Sequence, residues 1–182
     1  MASVLSHAVA ASAISAAFYR TGVPKHIWIA GLACSVLPDL DVVGFRFGMR
    51  YGDFCGHRGF THSLTFAALL AAALAFGILR IHSEISPASL FVYLFLSTAS
   101  HGLLDSMTDG GLGVAFFSPF DNRYFFPWRP IRVSPIGVSR FFSARGLVVL
   151  RSELLWIWLP SILVIVLATI ARSRISQPEL RR

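Results

Sequence analysis

The sequence predicts an all-α integral membrane protein, a helical bundle of about five transmembrane helices forming one domain over residues 1–182. Hydrophobic residues make up 55% of the chain and charged residues 14%, whereas soluble domains carry about 25% charged residues. The mean hydropathy is +0.66, and five apolar runs approach the roughly 20 residues that a helix needs to cross a bilayer. This composition excludes a soluble domain with a solvated surface and a disordered chain.

The five predicted spans differ in character. Residues 3–19 are rich in Ala and Ser, which favours close helix packing, and residues 26–43 end in a Pro-Asp-Leu-Asp run. The later spans are more apolar and nearly uncharged. We expect these later spans at residues 62–80, 88–106 and 153–171.

Residues 107–152, between the fourth and fifth spans, have a different composition. Pro and Gly recur there, and six arginines alternate with Phe and Trp residues. Such a segment cannot cross lipid, because Pro and Gly leave backbone polar groups unsatisfied. We expect an interfacial loop that either anchors the protein at the lipid headgroups or forms a wall of a headgroup-binding site, with arginines facing phosphates.

Ionisable residues inside membrane segments are costly and mark functional sites, and here they occupy related positions. His7 lies near the start of the first span, two Asp residues end the second, two His residues open the third, and a His and an Asp end the fourth. Successive spans run in opposite directions, so all these positions lie on one side of the membrane. The sequence therefore predicts one polar site formed by His7, Asp39, Asp41, His57, His62, His101 and Asp105.

The spacing of these residues favours a divalent metal. His101 and Asp105 are four positions apart and share one face of a helix, where they can bind one ion or bridge two. Pro38 can distort the end of the second span and turn the neighbouring carboxylates inward. Imidazole and carboxylate ligands without thiolates suit zinc or another divalent first-row metal. We expect one or two ions, with zinc as the preferred metal.

Each residue also has a simpler interpretation. His7 is compatible with helix packing or an interhelical hydrogen bond, and His101 with Asp105 is compatible with a buried hydrogen-bonded pair. Asp109 extends the helical face of Asp105 if the helix continues that far, but the two glycines that follow indicate a helix end. Glu153, at the start of the fifth span, is a candidate for a distant acid or base.

These motifs resemble a family of bacterial and archaeal integral-membrane, metal-dependent hydrolases, the LexA-regulated inner-membrane hydrolases. The resemblance covers the first four spans and rests on His7, the run Leu37-Pro38-Asp39-Leu40-Asp41, the run His57-Arg58-Gly59-Phe60-Thr61-His62-Ser63, and His101-Gly-Leu-Leu-Asp105.

In motif order, that family is similar to the zinc-dependent phospholipase C and single-strand nuclease group. Those enzymes have further histidines downstream, whereas this chain has none after His101, which favours one or two metals over three. This similarity implies that the first zinc would be held by Asp39 or Asp41, by His62 or His57, and by His101 and Asp105. Asp105 would also bridge to a second ion near His7.

Together these features predict a membrane-embedded hydrolase that uses a metal-activated water to cleave a phosphoester of a membrane lipid or lipid-linked phosphate. We expect Asp41 or Asp109 as general base, and Arg58 with arginines of residues 123–132 to neutralise the substrate phosphate. The alternative is a non-enzymatic membrane protein with a structural metal, or an ion or metal transport module. The net charge of +7 then reflects anionic lipid headgroups. We expect no nucleic-acid partner, because the basic residues do not form a stripe on a polar face.

Lys and Arg residues give conflicting signals about orientation in the inner membrane. Nine lie on the site side and seven on the other side, which by the positive-inside rule favours a cytoplasmic site. An external site is favoured instead when the arginines expected to bind substrate are left out of the count and the dense C-terminal cluster of arginines is given more weight. We expect a multi-pass protein of the inner (cytoplasmic) membrane with an external site.

Overall fold

The computed structural model describes residues 1–18, 24–126, 128–135 and 141–175. The described residues form helices and irregular segments, with two isolated β-bridges and no strand. The predicted all-α fold is confirmed. The α-helices are α1 (Val4–Phe18), α2 (Lys25–Val36), α3 (Leu64–Leu79), α4 (Pro87–Ser106), α5 (Ala144–Glu153) and α6 (Leu159–Ile175).

Three helical stretches are long and apolar enough to cross a membrane, namely Lys25–Phe47, Pro87–Ser106 and Ala144–Arg174. The helices α1 and α3 are also apolar but shorter, at 15 and 16 residues. All five segments predicted as spans are therefore helical, and a membrane helical bundle accounts for them.

The second span changes from α to 3₁₀ geometry at Leu37. Pro38 stands at the beginning of the 3₁₀ segment Leu37–Phe47, and its ring removes an amide donor that a continuing α-helix would use. The segment ends at Gly48, which adopts a left-handed conformation with φ of 82°. The change of geometry gives Asp39 a buried position.

Part of the predicted interfacial segment, residues 107–152, is helical. A π-helical turn, Leu154–Trp158, connects α5 to α6, so that the last helix begins at Ala144. Residues 144–153 are more polar than the span that follows, and a hydropathy criterion alone therefore places its start too late. The Ala, Leu, Arg and Glu residues there nevertheless have high helix propensity.

Close approach of α2 and α4 brings their ends together. A Cβ atom on Gly31 would lie 1.9 Å from the hydroxyl oxygen of Tyr93, so a larger residue would separate the two helices. The same hydroxyl lies 2.6 Å from Oγ of Ser15 in α1. Further contacts join α3 to α4, and α1 to α2, α4 and α6. The ends of four helices thus meet on one side of the bundle.

Candidate metal centre

Polar side chains from these helix ends meet in the interior of the protein. His101 and Asp105 are 0% exposed, His62 is 3% exposed and Asp39 is 7% exposed. Each offers one potential ligand atom, and the four atoms lie within 4.8 Å of one another. We call Asp39, His62, His101 and Asp105 the buried quartet.

The hydrogen bond of His101 determines which of its nitrogens is free. Its Nδ1 lies 2.7 Å from the main-chain oxygen of Ser35. A carbonyl oxygen only accepts hydrogen bonds, so Nδ1 carries the hydrogen. In the neutral imidazole, Nε2 of His101 therefore presents a lone pair to the quartet.

The same reasoning applies to His62. Its Nδ1 lies 3.2 Å from Oδ2 of Asp41, and an ionised carboxylate also only accepts. In the neutral imidazole, Nε2 of His62 is then the nitrogen with the lone pair, and it lies 3.0 Å from Nε2 of His101. When both rings are neutral, two acceptor atoms therefore face each other at hydrogen-bond distance.

Carboxylate oxygens surround this pair of nitrogens. Oδ1 of Asp39 lies 3.4 Å from Nε2 of His101, and Oδ2 of Asp105 lies 3.6 Å from Nε2 of His62. Both oxygens of Asp39 and Oδ2 of Asp105 have no hydrogen-bond partner among the described residues. Buried acceptors are normally satisfied, so this donor set of two imidazoles and two carboxylates fits a divalent cation.

The other carboxylate oxygen of Asp105, Oδ1, faces Ala2 and His7. Oδ1 accepts a hydrogen bond of 2.7 Å from the amide of Ala2 and lies 3.4 Å from Nε2 of His7. The ring of His7 stacks on that of His101 with 3.8 Å between ring centroids, and neither of its nitrogens has a hydrogen-bond partner among the described residues. Asp105 therefore lies between the quartet and His7.

Asp41 lies on the far side of His62 and contacts several donors. Its Oδ1 is 2.7 Å from Nδ1 of His57, and its Oδ2 accepts a hydrogen bond of 2.7 Å from the hydroxyl of Thr61. A second group of potential ligand atoms, from Asp41, His57 and His62, also lies within 4.8 Å of one another. These contacts nevertheless favour an outer carboxylate that orients His62, an arrangement common around metal-bound histidines.

Arg58 connects Asp105 to the segment that follows α4. It is 1% exposed, and its Nε lies 3.2 Å from Oδ2 of Asp105. Its two terminal nitrogens donate hydrogen bonds of 2.8 Å to the carbonyl of Gly110 and the hydroxyl of Thr108. Arg58 also has a positive φ of 70°, a strained conformation that tends to occur at functional sites.

Asp109 lies outside the quartet, beyond the end of α4. Its carboxylate accepts hydrogen bonds of 2.7 Å from Arg132 and 2.8 Å from the amide of Val133. Partial burial alone would raise the pKa of Asp109, but these hydrogen bonds and the positive charge of Arg132 outweigh burial and hold the pKa below its ordinary value. The carboxylate of Asp109 is therefore engaged.

The carboxylate of Glu153 binds residues at the start of α1, a contact that was not apparent in the sequence. It is 0% exposed, and one carboxylate oxygen accepts hydrogen bonds of 2.6 Å from the hydroxyl of Ser3 and 2.8 Å from that of Ser6. Ser6 also accepts a hydrogen bond of 2.8 Å from the indole of Trp158. These hydrogen bonds fix the helical turn that carries His7.

The fold and this cluster define the class of the protein, a helical membrane protein with buried residues that could hold a metal. Residues 1–175 match the family described as YdjM inner membrane protein, and the chain belongs to that family. It is 40% identical over 165 residues to inner membrane protein YbcI of Escherichia coli (strain K12), which covers 90% of this chain and 95% of that protein. No solved structure matches the chain. Family and apolar helices together support a location in the inner membrane.

Proposed function

We propose that this inner membrane protein is a metal-dependent hydrolase that cleaves a phosphoester of a membrane lipid or lipid-linked phosphate. The observation that carries the proposal is the 3.0 Å separation of the Nε2 atoms of His62 and His101, each of which has a lone pair in the neutral imidazole. Two lone pairs at this distance repel each other, and a cation bound by both nitrogens would remove that repulsion.

The residues present fit one or two divalent ions, and zinc is the metal we propose. Asp39, His62, His101 and Asp105 would hold the first ion. His7 would hold a second one with the other oxygen of Asp105. When bound, such an ion acidifies water and polarises a phosphoryl oxygen.

In the proposed reaction, the oxygen of a water molecule forms a bond to phosphorus, the ester P–O bond breaks, and the departing alkoxide takes up the proton that the water has lost. Asp41 and Asp109, predicted as bases, have carboxylates that other donors already engage. We therefore assign the proton of the water to His57, whose Nδ1 is held by Asp41 at 2.7 Å and whose Nε2 remains to accept it. Arg58 would stabilise the charge of Asp105 rather than bind the phosphate directly.

The first prediction concerns two residues of the buried quartet. We expect His101→Ala and Asp105→Ala to abolish both bound metal and phosphoester hydrolysis while the protein remains inserted, because each removes a ligand atom from a buried set of four. Metal content is measured by elemental analysis of detergent-purified protein. Hydrolysis is measured by mass spectrometry of a panel of phosphate-containing lipids.

Asp121→Asn is the matched control, because Asp121 pairs with Arg123 in the interfacial loop at 2.6 Å and lies outside the quartet. It is expected to keep wild-type metal content. Metal retained by both quartet variants would refute the metal centre, and metal without hydrolysis of any lipid phosphate would refute the enzyme.

A structural metal is the second candidate, because a set of four buried protein ligands is also the number that closes a structural zinc site. Cobalt substitution distinguishes the two. An open catalytic site is expected to change its visible absorption spectrum when inorganic phosphate is added, whereas a closed four-ligand site is not. A transport module is less favoured, because α3 contains no ionisable residue from Leu64 to Leu79.

A further inference from the structure

Two cavities are lined in part by the same two chain segments. The first is an apolar cavity of about 350 Å³, whose walls include Val4 and Leu5 of α1, Pro135, and the rings of Phe141 and Phe142. Leu5 is 54% exposed and Phe142 is 80% exposed, so in a membrane protein the cavity opens toward the lipid. Its size and lining are typical of a small-molecule site.

The second cavity is cationic and has a volume of about 590 Å³. Arg132, Arg145 and Asp109 line it, so two guanidinium groups face one carboxylate. Arg132 already donates to Asp109 at 2.7 Å, yet its side chain is 63% exposed. Arg145 is exposed and has no hydrogen bond or ion pair with the described residues. The cavity therefore keeps a net positive charge.

The same two chain segments form walls of both cavities. Residues 132–135 place Arg132 and Val133 in the cationic cavity and Ser134 and Pro135 in the apolar one. Residues 141–149 likewise place two Phe rings in the apolar cavity and Arg145 in the cationic one. An apolar surface therefore adjoins a cationic one. An anionic lipid requires this arrangement, the apolar surface for its hydrocarbon chain and the cationic surface for its headgroup.

Each cavity is lined by a residue next in the chain to one that contacts Asp105 or Arg58. Met1 lines the apolar cavity, and the next amide, that of Ala2, donates to Asp105. Asp109 lines the cationic cavity, and the next carbonyl, that of Gly110, accepts from Arg58. Short chain segments therefore connect both cavities to the candidate metal centre.

We propose that the two cavities together bind one anionic phospholipid, with a hydrocarbon chain in the apolar cavity and the phosphate at Arg132 and Arg145. Guanidinium groups bind phosphate oxygens in a paired, planar geometry. That this lipid class is also the substrate rests on the proposed hydrolase function. Binding itself does not, and it is tested separately.

The test uses the full chain in phosphatidylcholine nanodiscs that contain a trace of phosphatidic acid with a diazirine on its acyl chain. After irradiation, labelled positions are mapped by peptide mass spectrometry. We expect labelling at Val4, Leu5 and Phe142 well above that at Phe76, which is 65% exposed but lies on α3 away from the cavities. Equal labelling at Phe76 would mean ordinary boundary lipid and would overturn the proposal.

Two pairs of variants test the chain site and the headgroup site. Val4→Trp fills the apolar cavity and is expected to reduce labelling at Phe142 to the Phe76 level, whereas Val92→Trp, at a comparably exposed position of α4, is not. Arg145→Gln is expected to reduce labelling by phosphatidic acid about fivefold, or about 1 kcal/mol for one cationic side chain. Arg151→Gln, exposed on the same helix, is not expected to do so.

Two further outcomes separate this proposal from the hydrolase. Inorganic phosphate that displaces the probe as well as unlabelled phosphatidic acid does would show a free-anion site and overturn the lipid assignment. Metal content is measured on the same samples. Selective labelling of a protein without metal would refute the hydrolase alone, and a metal-bearing, active protein without selective labelling would refute lipid binding alone.

Discussion

At the scale of single residues, the proposed metal centre depends on the direction of two hydrogen bonds. The carbonyl of Ser35 and the carboxylate of Asp41 each engage one Nδ1, and this leaves both Nε2 atoms directed inward. Outer acceptors of this kind fix the tautomer and the ring orientation of metal-bound histidines. The residues that orient the ligands are therefore as important as the ligands.

The second prediction concerns Asp41. If Asp41 orients His62, Asp41→Asn should weaken metal binding by about 10–100-fold without abolishing it, the usual effect of losing an outer partner. Affinity is measured by competition with a chromophoric chelator, with Asp121→Asn as control. Complete loss of metal, as expected for Asp105→Ala, would instead make Asp41 a direct ligand.

The third prediction concerns pH and Asp109. Because the pKa of Asp109 is lowered in the folded protein, Asp109 contributes stability above the carboxyl pKa of the unfolded chain, about 3.9, and loses it as the pH falls through the folded value. We expect the melting temperature of the wild type to exceed that of Asp109→Asn by a constant amount from about pH 7 to 5, and the difference to decrease as the pH falls below the unfolded carboxyl pKa of about 3.9.

The proposed ligands are the same in both proteins, so the difference between the two melting curves reports Asp109. Arg132→Gln removes the positive charge beside Asp109 and should give a smaller pH-dependent difference from Asp109→Asn. A difference between wild type and Asp109→Asn that grows on acidification would contradict the assignment.

The sequence indicated most residues of the site but not how they are held. Ionisable side chains such as His101 stand out in an apolar run, because burying them in a bilayer is costly. The carbonyl of Ser35 and the amide of Ala2 carry no such signal, since every residue has these groups. The sequence also did not indicate that Arg58 is buried with its Nε 3.2 Å from Oδ2 of Asp105.

At the scale of helices, the site requires α2 and α4 to pack closely, and glycine permits it. The ring of Tyr93 occupies the space that a side chain at residue 31 would need. Small residues at helix contacts are the usual means of close approach in membranes. The helix locations were predictable from hydropathy, and Pro38 indicated a distortion of the second span. The start of α5 was not predictable in this way, because its residues are polar and hydropathy does not register their high helix propensity.

The fourth prediction compares two glycines. We expect Gly31→Ala to destabilise the protein by about 1–3 kcal/mol, the usual cost of overpacking, because its Cβ would lie 1.9 Å from Tyr93. Gly77→Ala, in α3, has no atom within 4 Å of its Cβ and is expected to be neutral or slightly stabilising. The free energy of unfolding is measured by titration with sodium dodecyl sulfate in mixed micelles. Equal effects of the two substitutions would contradict this account of the α2–α4 contact.

At the scale of the whole molecule, the chain concentrates its polar chemistry at one end of an apolar bundle. The site lies where α1 and α3 begin and where the second span and α4 end, which is the convergence that alternating spans predicted. The other end carries stacked rings of His26 and His82, 4.5 Å apart, next to Glu84, which is 3.1 Å from His82. This asymmetry makes the orientation of the bundle decisive for which aqueous compartment the products of the proposed reaction enter.

The fifth prediction concerns that orientation. With five spans, a reporter fused after residue 182 lies on the side opposite the site. The dense basic cluster of Arg172, Arg174, Arg181 and Arg182 favours a cytoplasmic C-terminal side by the positive-inside rule, and hence an external site. We expect a C-terminal green fluorescent protein fusion to fluoresce and a C-terminal alkaline phosphatase fusion to be inactive in whole cells. Replacing the four arginines by Gln should shift part of the population to the opposite orientation, and an active phosphatase fusion on the unaltered chain would place the site in the cytoplasm.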